Sequence, residues 1–194
     1  MEAIVLAAGY SSRANAFKMT LPLGQMTVLE QTISKFEGLC SRVIVVAGFQ
    51  AEMIEEEAAK ISRKSVYSFQ LKVVYNENFD EGMFRSIQEG CSEIKDSSFF
   101  ITPGDCPLVK KETVQLIAKH EENVVIPSFH YKGGHPIKLS SEVKQTILET
   151  DPESNLREVL NRYEKTYITV DDPGVLMDVD TPDDYEKAIK YDKV

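Results

Sequence analysis

The sequence predicts an α/β domain built around a mostly parallel sheet. Short apolar runs rich in Val, Ile and Phe recur along the 194 residues, helical patterns separate the early runs, and no long linker, repeat or low-complexity tract divides the chain. Alternation of strands and helices is typical of parallel strands joined by right-handed crossovers. Because a domain commonly holds roughly 150 residues, we expect one domain over residues 1–194.

Six runs of four or five residues have the composition of buried strands. The runs cover residues 3–7, 43–47, 71–75, 99–102, 124–127 and 167–170. Apolar residues at spacings of three and four predict helices over 28–36, 53–61 and 83–94. A last helix is expected to begin at Pro182, because Thr181 is a good N-cap and proline suits the first helical position. The turn-rich segments 130–136 and 171–174 are expected to be insertions near the sheet edge.

The composition excludes several classes of protein. Lys and Arg number 22 against 31 Asp and Glu, and the net charge of -9 disfavours nucleic acid or an anionic membrane as partner. No apolar run approaches the roughly 18 residues of a membrane-spanning helix. Three cysteines without a C-x-x-C pair fit reduced thiols better than a disulfide framework or a zinc site. The chain starts without a basic, apolar leader, so we expect a cytoplasmic protein.

The loop after the first strand has the composition of a phosphate-binding loop. Residues 6–18 read LAAGYSSRANAFK. The small residues 7–9 allow a ligand to approach backbone N–H groups, and Arg13 and Lys18 add two positive charges. The loop fits neither the Walker pattern nor the dinucleotide-binding fingerprint. The alternative interpretation is an ordinary turn with two solvated cations.

One aspartate, Asp105, follows the fourth predicted strand and is preceded by Gly104, which leaves clearance beside it. Ligands of open parallel sheets bind at the carboxyl ends of the strands. Asp105 is therefore well placed to hold a divalent cation against phosphates. The alternative is a rigid turn between Pro103 and Pro107, in which the neighbouring cysteine is a small packed residue.

Two further carboxylates, Asp178 and Asp180, precede the last helix and are not explained by its cap. If this segment is extended, both side chains point to the same face, since side chains alternate along a strand. Like charges on one face repel unless a cation lies between them. With Asp105 they could form a site of hard oxygen ligands for Mg²⁺.

Two other loops carry weaker signals. The segment from Asn76 to Ser86 joins a strand to an amphipathic helix, and an ordinary turn with a helix start is the favoured interpretation. His135 lies in a tight turn without the spacing of a metal ligand. It could instead meet an anionic group of a second substrate.

Together, these segments resemble the molybdenum-cofactor branch of the MobA-like nucleotidyltransferases, and within it the cytidylyltransferases. The matching positions are spread in order over nearly the whole chain. They are Leu6–Arg13, Lys18, Leu21–Pro22, Asn76, Gly82–Met83, Ser86, Gly104–Pro107, Gly134–Pro136, Asn155–Arg157 and Asp178–Asp184.

The resemblance implies a Rossmann-like, three-layer α/β/α nucleotidyltransferase fold. It also implies Mg²⁺-dependent transfer of CMP from CTP to Mo-molybdopterin, with release of pyrophosphate. The implied catalytic residues are Arg13, Lys18 and Asp105. The implied nucleotide-binding residues are Leu6, Ala7, Ala8, Gly9, Arg13, Lys18, Asn76, Gly82, Ser86 and Gly104. The implied metal ligands are Asp105 with Asp180 or Asp178, and His135 is placed towards the acceptor.

Several activities are compatible with this pattern. Related guanylyltransferases have glycine where this chain has Ala8, which favours the cytidylyl branch and service to a molybdenum hydroxylase. Guanylyl transfer to molybdopterin is one alternative. Transfer to a sugar, alditol or methylerythritol-type phosphate is another. A non-catalytic factor that holds the cofactor and docks on an apo-hydroxylase is the third.

Overall fold

The computed structural model describes residues 1–10 and 18–191. The strands are β1 (Glu2–Ala7), β2 (Pro22–Leu23), β3 (Met26–Thr27), β4 (Arg42–Ala47), β5 (Gln70–Tyr75), β6 (Ser98–Pro103), β7 (Val124–Phe129), β8 (Lys132–Gly133), β9 (Ile137–Ser140) and β10 (Lys165–Thr169). The helices are α1 (Val28–Ser34), α2 (Ala51–Ser62), α3 (Met83–Glu93), α4 (Lys111–Ala118), α5 (Ser141–Glu149), α6 (Leu156–Leu160) and α7 (Pro182–Tyr191). Short 3-10 turns cover Lys18–Thr20, Phe79–Glu81 and Pro173–Leu176.

Seven strands form the main sheet in the order β5, β4, β1, β6, β9, β7 and β10, and the short β8 pairs with β7. The pairs of β1 with β4 and β6, of β4 with β5, and of β7 with β10 are parallel. Only β9 and β8 run against their neighbours in this sheet. The predicted mostly parallel α/β fold is confirmed, and each of the six predicted strands is present.

Helices cover both faces of the sheet because successive side chains of its strands point to opposite sides. Val5 of β1 packs in one core layer with Leu29 of α1. Ile4 packs in the other layer with Ile87 of α3. Gly90 allows α3 to approach β1 closely, since a Cβ there would lie 2.7 Å from the side chain of Ile4. These two core layers produce the three-layer α/β/α arrangement.

The order of the strands locates the candidate site. From β1 the chain passes to β4 and β5, which lie towards one edge of the sheet. It then crosses to β6, the neighbour of β1 towards the opposite edge. Such a reversal opens a crevice at the carboxyl ends of the strands, where α/β proteins bind ligands. The loops after β1, β5 and β6 therefore surround one space.

The segment 130–136 differs from the expected insertion near the sheet edge. It contains the turn of the β7–β8 hairpin and β8 itself, and the chain then enters the sheet interior as β9, between β6 and β7. β9 has only four residues, and the alternation of apolar and polar side chains in it would place Lys138 on an exposed face. This lysine is nevertheless buried, and its ammonium group donates a hydrogen bond to the backbone carbonyl of His120.

Asp172, in the second irregular segment, is buried and caps α4. Its carboxylate accepts hydrogen bonds from the backbone N–H of Lys110 at 2.9 Å, the hydroxyl of Thr113 at 2.6 Å and the N–H of Gly174 at 3.0 Å. Lys110 occupies the N-cap position of α4 but provides no side-chain cap. Asp172 therefore supplies from a distant segment the acceptor that the helix start lacks.

Replacing Asp172 with alanine is expected to lower the free energy of unfolding by about 3 kcal/mol, because it leaves buried donors without an acceptor. Chemical denaturation monitored by circular dichroism measures this loss. Asp171→Ala is the matched control, since its exposed side chain has no such role and the variant should keep wild-type stability. Equal stability of the Asp172 and Asp171 variants would contradict the capping role.

The last helix begins at Pro182 as predicted. The Thr181 hydroxyl accepts a hydrogen bond from the N–H of Asp184 at 3.2 Å, and the Asp184 carboxylate accepts from the Thr181 hydroxyl at 2.6 Å. Hydrogen bonds from Thr181 and Lys187 lower the pKa of Asp184. Within residues 1–10 and 18–191, no helix has the length and apolar character needed to cross a membrane.

Candidate active site

A cavity of about 430 Å³ opens at the carboxyl ends of β1, β5 and β6. This volume lies within the range of about 300–1,000 Å³ that is usual for small-molecule sites. Polar and charged groups of the cavity come mainly from the loops after β1 and β6 and from the segment before α7. Its lining residues are Leu6, Ala8, Gly9, Tyr10, Lys18, Met19, Phe79, Asp80, Gly82, Met83, Ser86, Pro103, Asp105, Asp178 and Asp180.

Lys18 lies between two carboxylates in this cavity. Its ammonium group donates hydrogen bonds to Asp105 and, at 2.7 Å, to Oδ1 of Asp180. The side chains of Lys18 and Asp105 are only 12% and 10% exposed. Burial alone would lower the pKa of Lys18, but the charge of Asp105 and the two hydrogen bonds outweigh it and raise the pKa. Lys18 therefore keeps its positive charge in a mostly enclosed site.

The segment before α7 lies against the loop after β6, because the N–H of Val179 donates to the backbone carbonyl of Asp105 at 2.9 Å. Val179 is buried, and its neighbours Asp178 and Asp180 both line the cavity. Both carboxylates thus lie beside the same space, as a common face would require. Burial raises the pKa of Asp178, and the charges of Asp180 and Asp105 raise it further. Negative charge is therefore concentrated here beyond what Lys18 neutralises.

The donor set suits a hard cation shared with a ligand. Among residues 1–10 and 18–191, no three His, Cys, Asp or Glu side chains are grouped closely enough to hold a metal ion by themselves. Mg²⁺, however, is usually bound by one or two carboxylates together with substrate phosphates and water. Asp105 and Asp180 both approach the Lys18 ammonium, so a cation can lie within reach of both carboxylates. These oxygen ligands fit Mg²⁺.

Five of the predicted nucleotide-binding residues besides Lys18 line the cavity: Leu6, Ala8, Gly9, Gly82 and Ser86. Gly82 has φ of +112°, a conformation that side-chain-bearing residues rarely adopt, and it lies immediately before α3.

Three other predicted nucleotide-binding residues, Ala7, Gly104 and Asn76, do not line the cavity. Ala7 is a fully buried residue of β1. The Gly104 N–H donates to the Leu6 carbonyl at 2.8 Å, and a Cβ on this glycine would lie 3.0 Å from the sulfur of Met19. Gly104 therefore allows the ends of β1 and β6 to pack closely. Arg13, predicted to bind phosphates, lies outside the described residues.

Asn76 is the third of these positions, and it is buried. Its side-chain amide donates to the Ser86 hydroxyl at 3.0 Å, and its Oδ1 accepts from the N–H of Asn78 at 3.0 Å. Asn76 therefore fixes the turn after β5 and the orientation of Ser86, which does line the cavity.

His135 lines a second cavity, of about 460 Å³, that shares Leu6, Gly82, Met83 and Pro103 with the first. Its backbone N–H donates to the carbonyl of Val175 at 2.8 Å, which fixes the turn. The buried Nδ1 has no hydrogen-bond partner among the described residues. Burial lowers the pKa of His135, and the charge of Asp105 opposes that shift only in part. This second cavity also reaches Asn155 and Arg157.

Tyr10, Phe79 and Met83 line the first cavity but were not predicted as site residues. Tyr10 lies inside the small-residue loop, whose small residues and positive charges indicate phosphate binding and give no signal for an aromatic contact. Met83, at the first position of α3, is 67% exposed. The sequence feature that could have indicated these three residues is an aromatic or large apolar residue beside a loop that contains glycine.

Fold and site together define a nucleotidyltransferase, and the chain belongs to the MobA-like NTP transferase family, whose domain matches residues 3–166. It is similar to a molybdenum cofactor cytidylyltransferase from Escherichia coli K12, with 26% identity covering 97% of this chain and 95% of the relative. It is also similar to a probable molybdenum cofactor guanylyltransferase from Carboxydothermus hydrogenoformans, with 24% identity covering 96% of this chain and 93% of the relative.

Solved structures share the fold. A nucleotidyl transferase from Methanothermobacter superposes with a TM-score of 0.83 at 21% identity, covering 99% of this chain and 97% of the other. A Mycobacterium tuberculosis protein solved in complex with manganese has a TM-score of 0.74 at 21% identity, and 97% of each chain is covered. A divalent metal is therefore found in a protein of this fold.

Proposed function

We propose that this protein transfers CMP from CTP to Mo-molybdopterin, which gives molybdopterin cytosine dinucleotide and pyrophosphate. The observation that carries the proposal is the position of Lys18 between Asp105 and Asp180, in a cavity that also contains the backbone of Ala8 and Gly9. Small residues beside exposed backbone N–H groups and a buried cation suit a polyphosphate. Two carboxylates in the same place suit the Mg²⁺ that accompanies it.

The reaction requires alignment and charge neutralisation rather than a protein nucleophile. An oxygen of the acceptor's terminal phosphate attacks the α-phosphorus of CTP, a new P–O bond forms, and the bond to the β-phosphate breaks to release pyrophosphate. Cys106, the thiol nearest to Asp105, is buried, and this burial together with the Asp105 charge raises its pKa. It therefore stays a neutral thiol and does not compete as nucleophile.

The residues have complementary roles in this scheme. Lys18 binds phosphate oxygens and neutralises charge that shifts towards the leaving pyrophosphate. Asp105 and Asp180 would hold Mg²⁺, which when bound supplies further neutralisation of the phosphates. Between Asp178 and Asp180, the structure favours Asp180 as second ligand, because Asp180 shares the Lys18 ammonium with Asp105. Arg13 is proposed to assist on the phosphates.

The second cavity is proposed to hold the acceptor. It meets the first at Leu6 and Pro103, so a phosphate in one cavity adjoins a phosphate in the other. His135 is proposed to lie against the acceptor, and Arg157 supplies a positive charge. The product is proposed to pass to an apo molybdenum hydroxylase.

The cytidylyl assignment is supported by Ala8 and by the Escherichia coli relative. Guanylyl transfer to the same acceptor is the second candidate, favoured by the Carboxydothermus relative at nearly the same identity. Both reactions use the same phosphate and metal chemistry, so the nucleobase is the discriminating variable.

Pyrophosphate release is the test of this function. Purified protein is incubated with Mg²⁺, molybdenum-loaded molybdopterin and one nucleotide at a time: CTP, GTP, ATP or UTP. Release with CTP alone is the expected result. Release with GTP alone would move the protein to guanylyl transfer. Release with CTP only when methylerythritol phosphate or a sugar or alditol phosphate replaces molybdopterin would change the acceptor, and no release with any pair would favour the cofactor-holding role.

A further inference from the structure

Three aromatic rings from three different loops contact one another beside the first cavity, which Tyr10 and Phe79 line. Tyr10 follows β1, Phe49 follows β4, and Phe79 follows β5. The Tyr10 ring centroid lies 5.1 Å from that of Phe49 and 5.5 Å from that of Phe79, with tilted planes. These distances are typical of aromatic pairs in contact. We call the three side chains the aromatic wall.

The aromatic wall is packed closely from behind. A Cβ on Gly48 would lie 2.5 Å from the Cβ of Phe79, so only glycine allows that ring to approach the end of β4. The N–H of Phe49 donates to the carbonyl of Ala8 at 3.2 Å, which connects the loops after β1 and β4. The wall is therefore held by backbone contacts and tight packing on the side away from the cavity.

The front of the aromatic wall is open. Tyr10 is 52% exposed, and Tyr10 and Phe79 line the cavity together with the exposed Met83. Large apolar side chains left exposed beside one another in a cavity are unusual unless a ligand covers them. Contacts with Phe49 and Phe79 cover part of the Tyr10 ring, and about half of this residue, 52%, stays exposed.

The distribution of charge identifies the ligand. The same cavity is lined by Lys18 with four carboxylates and by Tyr10, Phe79 and Met83; the carboxylates are Asp80, Asp105, Asp178 and Asp180. A molecule with a polyphosphate at one end and a flat aromatic ring at the other matches both sets of residues. Every nucleobase offers such a ring, and stacking on aromatic side chains is a common way to bind one.

We propose that Tyr10, supported by Phe49 and Phe79, stacks on the nucleobase of the bound nucleoside triphosphate. This inference rests on the proposed function and adds a residue that determines affinity for the base. Because stacking acts through the face of the ring, Tyr10 contributes to the binding of any nucleobase and leaves the choice between cytosine and guanine to other contacts.

Isothermal titration calorimetry of wild type and Tyr10→Ala with CTP and with inorganic tripolyphosphate, each with Mg²⁺, tests this role. The alanine variant should bind CTP about tenfold more weakly, the scale of one base–aromatic stacking contact. Its affinity for tripolyphosphate, which has no base, should be unchanged. Tyr10→Phe keeps the ring and should bind CTP like wild type. Tyr131→Ala is the matched control, because this fully exposed tyrosine lies on the β7–β8 turn.

The chain contains no tryptophan, so Tyr10→Trp provides a second readout that does not depend on the alanine variant folding. CTP should quench the fluorescence of this single tryptophan, and tripolyphosphate should not. Equal CTP affinity of wild type and Tyr10→Ala would overturn the stacking role and leave the proposed function standing. Equal weakening for CTP and tripolyphosphate would also overturn it. No binding of any nucleotide to wild type would overturn the stacking role and the proposed function together.

Discussion

Asp105→Asn is expected to lower turnover by on the order of a hundredfold or more, the scale seen when a central electrostatic group is removed. The substitution keeps the shape of the side chain but removes the charge that faces Lys18 and that would hold Mg²⁺. Asp105 is mostly buried, so water replaces the lost ligand poorly. Steady-state pyrophosphate release with the nucleotide and acceptor identified for wild type measures the effect.

Asp183→Asn is the control for Asp105→Asn, because this exposed carboxylate on the first turn of α7 faces solvent. It should keep wild-type turnover. Circular dichroism and thermal unfolding of both variants separate a chemical effect from a loss of fold. A folded Asp105→Asn enzyme with wild-type turnover would exclude this residue from catalysis and from metal binding.

Lys18→Met is expected to weaken CTP binding by roughly tenfold or more, since it removes a charge-assisted contact to phosphate from an enclosed site. The methionine preserves much of the apolar stem and deletes only the ammonium group. Calorimetric titration with Mg²⁺·CTP measures the affinity. Lys60→Met on α2 is the matched control, because its exposed ammonium forms an ion pair with Glu57 in the neighbouring helical turn, away from the cavity lining. That variant should bind CTP like wild type.

A second effect of Lys18→Met follows from its two carboxylate partners. Without the ammonium group, Asp105 and Asp180 repel each other in a poorly solvated place, which makes the folded state less stable. A divalent cation can neutralise that repulsion. Mn²⁺ without nucleotide should therefore raise the unfolding temperature of the variant more than that of wild type. Wild-type CTP affinity together with an equal response to Mn²⁺ would refute both assigned roles of Lys18.

Much of the fold follows from local patterns in the sequence. The central strands β1, β4 and β6 are short runs of apolar residues because both of their faces are buried. The start of α7 could be predicted from Thr181 and Pro182, since capping depends on neighbouring residues. In open, mostly parallel α/β sheets the loops at the carboxyl ends of the strands lie together. The sequence therefore predicts that Lys18, after β1, and Asp105, after β6, belong to one site.

Other features depended on contacts between distant residues. The burial of β9 and the capping of α4 by Asp172 arise from segments far apart in the chain, and neither leaves a local pattern. The side chain of Asn76 could bind a ligand or a neighbour, and only the structure shows that it holds Ser86.

The aromatic wall shows most clearly what the tertiary structure decided. Tyr10 and Phe49 are 39 residues apart in the chain and Phe49 and Phe79 are 30 apart, and their rings meet only because β1, β4 and β5 are adjacent and end at the same edge. The sequence by itself determined which residues carry charge, which runs are buried and where helices begin, because these properties depend on a residue and its near neighbours. The tertiary structure decided which side chains share a cavity, because that depends on the packing of whole strands and helices.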